Sequence, residues 1–162
     1  MKSFVFFVSG MLTGAFLLGT ALAQNRMPTT MGVNHVGMVV DHYQEAMDFY
    51  TGVLGLREAY TVKNPDGSPL LTYLQLNRET FVELIPARAG QQTGITHYGM
   101  QVGNIDSFVQ RLRERGYTVA DPGVTPAKAR YVRVHDPNDI EIEVMEYGPD
   151  SLQQKAIDSW KP

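Results

Sequence analysis

Two stretches of this chain repeat each other. Residues 34–40 read NHVGMVV, residues 96–102 read THYGMQV, and the two copies of the pattern His-x-Gly-Met lie 62 residues apart. The segments after the two copies also match: an amphipathic helical stretch, a glycine that ends it, extended segments, and a strand that carries a glutamate. A fixed internal period indicates a duplicated structural unit. The chain is therefore expected to contain two copies of one module.

Each module carries one histidine and one glutamate at matching positions. His35 and Glu83 are 48 residues apart in the first module, and His97 and Glu143 are 46 residues apart in the second. A single histidine on a strand is more often a core or surface residue than a ligand. A glutamate in an apolar strand is harder to explain, because an unpaired carboxylate is expensive to bury. Four such residues in two-fold repeat favour a metal site.

Hydrophobic periodicity predicts the order βαβββ in both modules. The first module, residues 33–86, is predicted to contain a strand, a helix and three further strands: 35–40, 43–54, 58–63, 70–76 and 81–85. The second module, residues 95–147, is predicted to repeat them: 97–102, 105–112, 117–120, 130–134 and 140–145. The linker between the modules is too short to separate independent domains. We therefore expect one α+β domain over residues 24–147.

The two ends of the chain are set apart from this domain. Residues 1–23 have the pattern of an export signal, with Lys2, an apolar run over residues 4–18 and a small-x-small site at residues 21–23. An uncleaved membrane anchor is the alternative, because the apolar run approaches membrane-spanning length. The tail, residues 148–162, is expected to form a short helix that packs on the body or on a partner subunit.

Composition excludes several classes of function. The net charge of -3 gives no basic surface for nucleic acid or for anionic membranes, and we expect no stable membrane association once the signal is cleaved. The chain has no cysteine, which excludes disulfides, thiolate metal ligands and a cysteine nucleophile. A small-molecule substrate is the expected partner.

Three motifs resemble those of the vicinal oxygen chelate superfamily, which includes glyoxalase I, methylmalonyl-CoA epimerase, extradiol dioxygenases and the fosfomycin and bleomycin resistance proteins. They are NHVG at 34–37, AMDFYTGVLGL at 46–56 and DPNDIEIE at 136–143. The resemblance implies that the two tandem βαβββ modules pair their sheets into a cup that holds a metal ion. Superfamily members build the cup within one chain or across a swapped dimer. Both arrangements stay open, and so does a homodimer.

The resemblance also implies a ligand set and a reaction. His35, Glu83, His97 and Glu143 match the two histidines and two glutamates of bacterial glyoxalase I. Such ligands suit one divalent ion such as Zn²⁺, Ni²⁺, Co²⁺ or Mn²⁺. The implied activity is that of a lyase or isomerase, which acts on a small substrate with vicinal oxygens through an enediolate-type intermediate. Glu143 would move the proton.

Two other functions are weighed against this one. Ring-cleaving dioxygenases of the superfamily bind iron through two histidines and one glutamate, so four occupied positions disfavour iron. A module that only sequesters a small molecule usually lacks the ligands.

Strand alternation predicts which further side chains face the cup and bind substrate: Tyr73, Gln75, Gln101, Tyr131 and Arg133.

We predict that the mature protein begins at or near Gln24 and is exported to the periplasm or the medium. The small-x-small site directly before this residue is the physical basis, since signal peptidases cleave after such residues. N-terminal sequencing of the exported protein tests the prediction. Recovery of only an intact, membrane-bound chain would contradict it.

Overall fold

The computed structural model describes residues 30–161, so the predicted signal over residues 1–23 lies outside the described part. The strands, in chain order, are β1 (Thr30–Val40), β2 (Arg57–Lys63), β3 (Pro69–Gln75), β4 (Phe81–Pro86), β5 (Gly94–Val102), β6 (Gly123–Val124), β7 (Arg130–His135) and β8 (Glu141–Glu146). The helices are α1 (Tyr43–Asp48), α2 (Ile105–Glu114) and α3 (Leu152–Asp158), and a π-helical turn, Phe49–Val53, continues α1.

The eight strands form one mixed sheet in the order β2-β3-β4-β1-β5-β8-β7-β6. In each module the first and last strands run parallel, β1 beside β4 and β5 beside β8. The two modules join where β1 and β5 pair antiparallel at the centre of the sheet. This arrangement confirms the predicted α+β fold of two βαβββ modules, and the cup is built within one chain.

Glycines set how closely the two modules approach along the β1–β5 pair. His35 lies opposite Gly99 and Gly37 lies opposite His97. A Cβ atom on Gly37 would lie 2.0 Å from the His97 ring, and one on Gly99 would lie 2.0 Å from the His35 ring. Each histidine ring therefore occupies the space that the missing side chain of the opposite strand leaves free. The repeated His-x-Gly pattern is a reciprocal packing motif.

The helices of the modules cover one face of the sheet and leave the other to the cup. Leu74 and Leu84 pack with residues of α1, and Val132 and Val144 pack with those of α2. Their neighbours in sequence point the opposite way because side chains alternate along a strand. The glutamates at 83 and 143 therefore face the cup.

Two predicted elements differ in the structure. The helix predicted over residues 43–54 is α-helical only to Asp48 and ends as the π-helical turn. The strand predicted at 117–120 is absent, and the short β6 lies downstream at Gly123–Val124. The physical reason is Arg113, whose guanidinium donates to the Val119 carbonyl at 2.7 Å and thereby takes an acceptor that a ladder would use.

The tail forms α3. Its N-cap is Ser151, whose hydroxyl accepts from the Gln154 backbone N–H. The helix packs Ala156 and Ile157 against Tyr73 and Phe81, at the mouth of the cup. Within residues 30–161, no helix is both long and apolar enough to cross a membrane.

We expect Gly37→Ala and Gly99→Ala each to destabilise the protein by about 1–3 kcal/mol, the usual penalty for overpacking. The added Cβ must displace a buried histidine ring or spread the β1–β5 pair. Gly103→Ala is the matched control, because a Cβ there has no neighbour within 4 Å. Denaturant unfolding measures all three variants. Equal unfolding midpoints for the three would contradict the close-approach argument.

Candidate metal centre

The four predicted ligands come together in the centre of the cup. His35 is on β1 and His97 on β5, while Glu83 and Glu143 are on the flanking strands β4 and β8. All four are buried, with relative exposures between 0% and 5%. Residues that are far apart in sequence therefore share one dry site because their four strands are adjacent.

The tightest cluster contains three of the four residues. The Nε2 atoms of His35 and His97 are 3.0 Å apart, and Glu83 Oε2 lies 3.1 Å from His97 Nε2 and 3.8 Å from His35 Nε2. One ligand atom from each of the three residues lies within 4.8 Å of the other two. A metal with ligands at about 2.0–2.2 Å keeps neighbouring ligand atoms about 3–3.6 Å apart. Two of the three spacings fit such a first coordination shell, and the third, at 3.8 Å, is slightly longer.

Hydrogen bonds fix which ring nitrogen of each histidine carries a proton. His35 Nδ1 is 2.7 Å from Asn34 Oδ1, an oxygen that only accepts. Thr96 donates its hydroxyl proton to the Gly37 carbonyl at 3.2 Å, so its oxygen accepts from His97 Nδ1 at 3.0 Å. Both Nδ1 atoms are therefore donors and both Nε2 atoms present lone pairs. Two lone pairs 3.0 Å apart require a cation or a shared proton between them.

The pKa values of the two histidines support this conclusion. Burial lowers the pKa of His35 to about 3, and the charge of His97 acts in the same direction. Burial also lowers the pKa of His97, but the hydrogen bond and charge of Glu83, with the charges of Glu143 and Glu141, raise it above the ordinary value. The histidine pair therefore binds one proton, on His97, and a divalent metal ion would place a larger positive charge at the same position. The residues fit a metal.

Glu143 lies beside this cluster and has a different partner. Its Oε2 is 3.6 Å from His35 Nε2, while its Oε1 accepts from Arg133 Nη2 at 3.1 Å. Burial and the negative charge of Glu83 raise the pKa of Glu143, although His97 and Arg133 act to lower it. One carboxylate therefore faces the two histidines, and the other is shared between the cluster and an arginine.

A small cavity of about 90 Å³ adjoins both carboxylates. Three of the predicted substrate-binding residues line it, namely Tyr73, Tyr131 and Arg133. The wall is completed by Leu71, Glu83, Thr125, Pro126, Ala127, Glu143 and Gln153. The cavity is well below the roughly 300–1,000 Å³ typical of pockets for drug-sized ligands, so a molecule held wholly inside it has only a few non-hydrogen atoms.

The structure places the other two predicted substrate-binding residues away from this wall. Gln75 is buried beneath α3, where its amide donates to the carbonyls of Arg78 at 3.0 Å and Ala156 at 3.4 Å. Gln101 is half-buried on β5 and pairs with Gly32 of β1. Strand alternation predicts the face of a residue, whereas its distance from the site depends on how far along the strand it lies.

The remaining histidines lie outside the cluster. His42 is exposed at the start of α1, near Asp41 and Glu45. His135 lies 3.8 Å from Glu141 and lines a second, open cleft of about 580 Å³ that also reaches His97. Neither side chain belongs to the cluster of possible ligands.

Sequence reasoning missed several residues at the site, and three of them bear on its chemistry. Asn34 and Thr96 precede the two histidines at equivalent repeat positions, and a polar residue at the same place in both copies was an available signal. Gln153 enters the cavity wall from α3. The tail has no counterpart in the repeat, so no pattern within the sequence pointed to this residue.

Comparison with known proteins decides the family. A model of the Glyoxalase/Bleomycin resistance protein/Dioxygenase superfamily matches residues 32–144, which is most of the chain and includes all four candidate ligands. The chain belongs to this superfamily. The match confirms the resemblance inferred from the three sequence motifs. Superfamily members bind a divalent metal, and the His35, Glu83 and His97 cluster could hold one.

Within the superfamily, two Bacillus subtilis (strain 168) proteins are similar in sequence. The protein named Putative ring-cleaving dioxygenase MhqO is 32% identical over 129 residues, 72% of this chain but only 40% of MhqO. The chain thus spans less than half the length of this relative. The uncharacterized protein YwkD is 25% identical over 122 residues, 70% of this chain and 95% of YwkD.

Solved superfamily structures share the fold. The crystal structure of methylmalonyl-CoA epimerase from Mycobacterium tuberculosis superposes with a TM-score of 0.65 at 22% identity, covering 78% of this chain and 96% of the epimerase. At this identity the likeness establishes the arrangement of modules and strands. It leaves the reaction to be argued from the site.

We expect His35→Ala and His97→Ala each to lower metal affinity by more than the roughly 10–100-fold typical of losing an outer-shell partner, because each removes a direct ligand. His42→Ala is the matched control, as its side chain is 73% exposed and distant from the cluster. Metal content of the purified variants, measured by elemental analysis after dialysis, tests this. Unchanged stoichiometry in both ligand variants would refute the metal centre.

Proposed function

We propose that the protein is a divalent-metal-dependent lyase or isomerase of the glyoxalase type, which moves a proton on a small substrate with two vicinal oxygens. One observation carries the proposal. The carboxylate of Glu143, which pairs with Arg133, lies next to the His–Glu–His cluster. The carboxylates of Glu143 and Glu83 line the same small cavity. A base and a cation site that face the same small volume suit proton transfer beside a carbonyl group.

The cross-strand partners of the two glutamates support a division of roles. Glu83 lies opposite Tyr73 in the β3–β4 register, and Glu143 lies opposite Arg133 in the β7–β8 register. The neutral tyrosine leaves Glu83 to turn to the histidines, whereas the guanidinium binds one oxygen of Glu143. We assign Glu83 as a ligand and Glu143 as the proton acceptor.

Burial prepares Glu143 for this role. A general base works best when its pKa approaches the working pH. Burial and the charge of Glu83 raise the pKa of Glu143 in that direction. Arg133 fixes the carboxylate through Oε1, so Oε2 is the atom that takes the proton from the substrate carbon and returns it. The metal, when bound, would supply positive charge near the developing oxyanion.

Tyr73 adds a neutral hydrogen-bond donor to the cavity wall. Burial raises the pKa of Tyr73 well above its ordinary value, and the charges of the two nearby glutamates act in the same direction. Its hydroxyl therefore keeps its proton at physiological pH. Together with Arg133, it lets the wall bind substrate oxygens without adding a second base.

A second candidate, a ring-cleaving dioxygenase, is favoured by the sequence similarity to MhqO. A cluster of two histidines and one carboxylate is also the ligand set that non-haem iron oxygenases use. Elemental analysis separates the two candidates. Stoichiometric iron with oxygen uptake on catechol-type substrates supports the dioxygenase, and nickel, zinc, cobalt or manganese without oxygen uptake supports the proton-transfer enzyme.

We expect Glu143→Gln to keep most of the bound metal and to slow exchange of the substrate α-proton with deuterated solvent by about 10²–10⁴-fold, the usual effect of losing a positioned base. Glu83→Gln should lower metal affinity first, since Glu83 belongs to the tight cluster. Exchange is followed by NMR over a panel of small hydroxy- and oxo-carbonyl compounds.

Glu79→Gln provides the control, because Glu79 is exposed in the turn between β3 and β4. The wild-type protein must first show metal-dependent exchange with a member of the panel. Full exchange in metal-loaded Glu143→Gln would rule this residue out as the base, and metal loss in that variant alone would reverse the two roles.

A further inference from the structure

The C-terminal helix α3 forms one side of the cavity. Its first residue, Leu152, donates its backbone N–H to the Ala127 carbonyl at 2.9 Å, which joins the helix to the loop that forms another part of the wall. At its other end, the Arg57 guanidinium on β2 donates to the Ser159 hydroxyl at 2.9 Å and lies 5.9 Å from the Trp160 ring centroid. Both ends of α3 are thus fixed to the body.

Gln153 is the residue that α3 contributes to the cavity wall. Its side chain is buried at 1% exposure, and among the described residues its Oε1 has no hydrogen-bond partner. Four other described residues also have a buried side-chain polar atom without a partner: Asn34, Tyr60, Gln75 and Tyr147. None of those four lines the cavity. Within residues 30–161, Gln153 is therefore the one residue that lines the cavity and also has a buried polar side-chain atom without a hydrogen-bond partner.

A buried amide oxygen without a partner is unfavourable unless a donor from another molecule binds it. A substrate hydroxyl suits it, because a hydroxyl can donate a hydrogen bond to the amide oxygen. Charge does not restrict the substrate further. Arg133 also pairs with Glu141 at 3.3 Å, so the three carboxylates at 83, 141 and 143 balance Arg133 and a divalent ion.

We propose that Gln153 is a specificity-determining residue that binds a substrate hydroxyl outside the vicinal oxygen pair. This inference rests on the proposed function, in which the metal and Arg133 take the vicinal oxygens. The substrate class is then a small hydroxylated carboxylate or carbonyl compound with at least three oxygen-bearing positions. In a cavity of about 90 Å³, a three-carbon molecule is close to every wall, including that of α3.

The test compares two probes that differ by one hydroxyl. Lactate and glycerate share the 2-hydroxy acid group, and glycerate has one more hydroxyl at C3. Titration calorimetry on the zinc-loaded full-length mature chain should show glycerate binding about tenfold more tightly than lactate, the effect of one buried hydrogen bond. Gln153→Met should bring the two affinities together by weakening glycerate binding while lactate binding stays unchanged.

Gln154→Met is the matched control, since Gln154 is on the same helix but donates to Asp158 at the surface. It should keep the preference for glycerate. If Gln153→Met fails to fold, Gln153→Ala replaces it, and the ratio of the two affinities remains the readout. Zinc content of each variant is measured in the same samples.

The outcomes separate this inference from the function on which it rests. Equal affinity for both probes in the wild-type chain, or a preference that survives in Gln153→Met, overturns the role of Gln153 alone. Failure of both probes to bind the zinc-loaded protein overturns the vicinal-oxygen site and this inference together. Loss of zinc from Gln153→Met would show that the residue supports the metal centre instead, which also overturns the proposal.

Discussion

The close approach of β1 and β5 is the constraint on which the site depends. Each strand gives up a side chain at a glycine, and the histidine of the opposite strand fills that space. The same contact brings the two Nε2 atoms to 3.0 Å. The β1–β5 contact therefore both joins the two modules and positions the two histidine ligands. A side chain at Gly37 or Gly99 would disturb the fold and the ligands together.

The buried charges explain why the site needs a cation. Two carboxylates and two imidazoles lie in the sheet centre with almost no exposure, and unpaired charge in such surroundings is strongly unfavourable. Arg133 compensates Glu143 from the rim, where its side chain is half exposed. For Glu83 the compensation must come from the histidine side, either as a proton on His97 or as a bound metal. The neighbours Asn34 and Thr96 direct both Nε2 atoms towards that position.

The internal repeat made much of the fold and of the candidate metal centre predictable from the sequence. Residues that recur in both modules, such as His35 with His97, were found because duplication doubles a weak signal. The strand at 117–120 was predicted from local pattern and was wrong, because the Val119 carbonyl accepts from the side chain of Arg113 rather than from a neighbouring strand. Gln153 could not have been found, since its role depends on where α3 docks, and the tail has no second copy to compare.

The differences between the modules carry more functional information than their likeness. Tyr73 and Arg133 occupy equivalent cross-strand positions opposite Glu83 and Glu143. The tyrosine leaves Glu83 to the histidines, whereas the arginine binds one oxygen of Glu143. In the proposed reaction, this one difference distinguishes the metal ligand from the proton acceptor. With identical partners, neither glutamate could be assigned as the base.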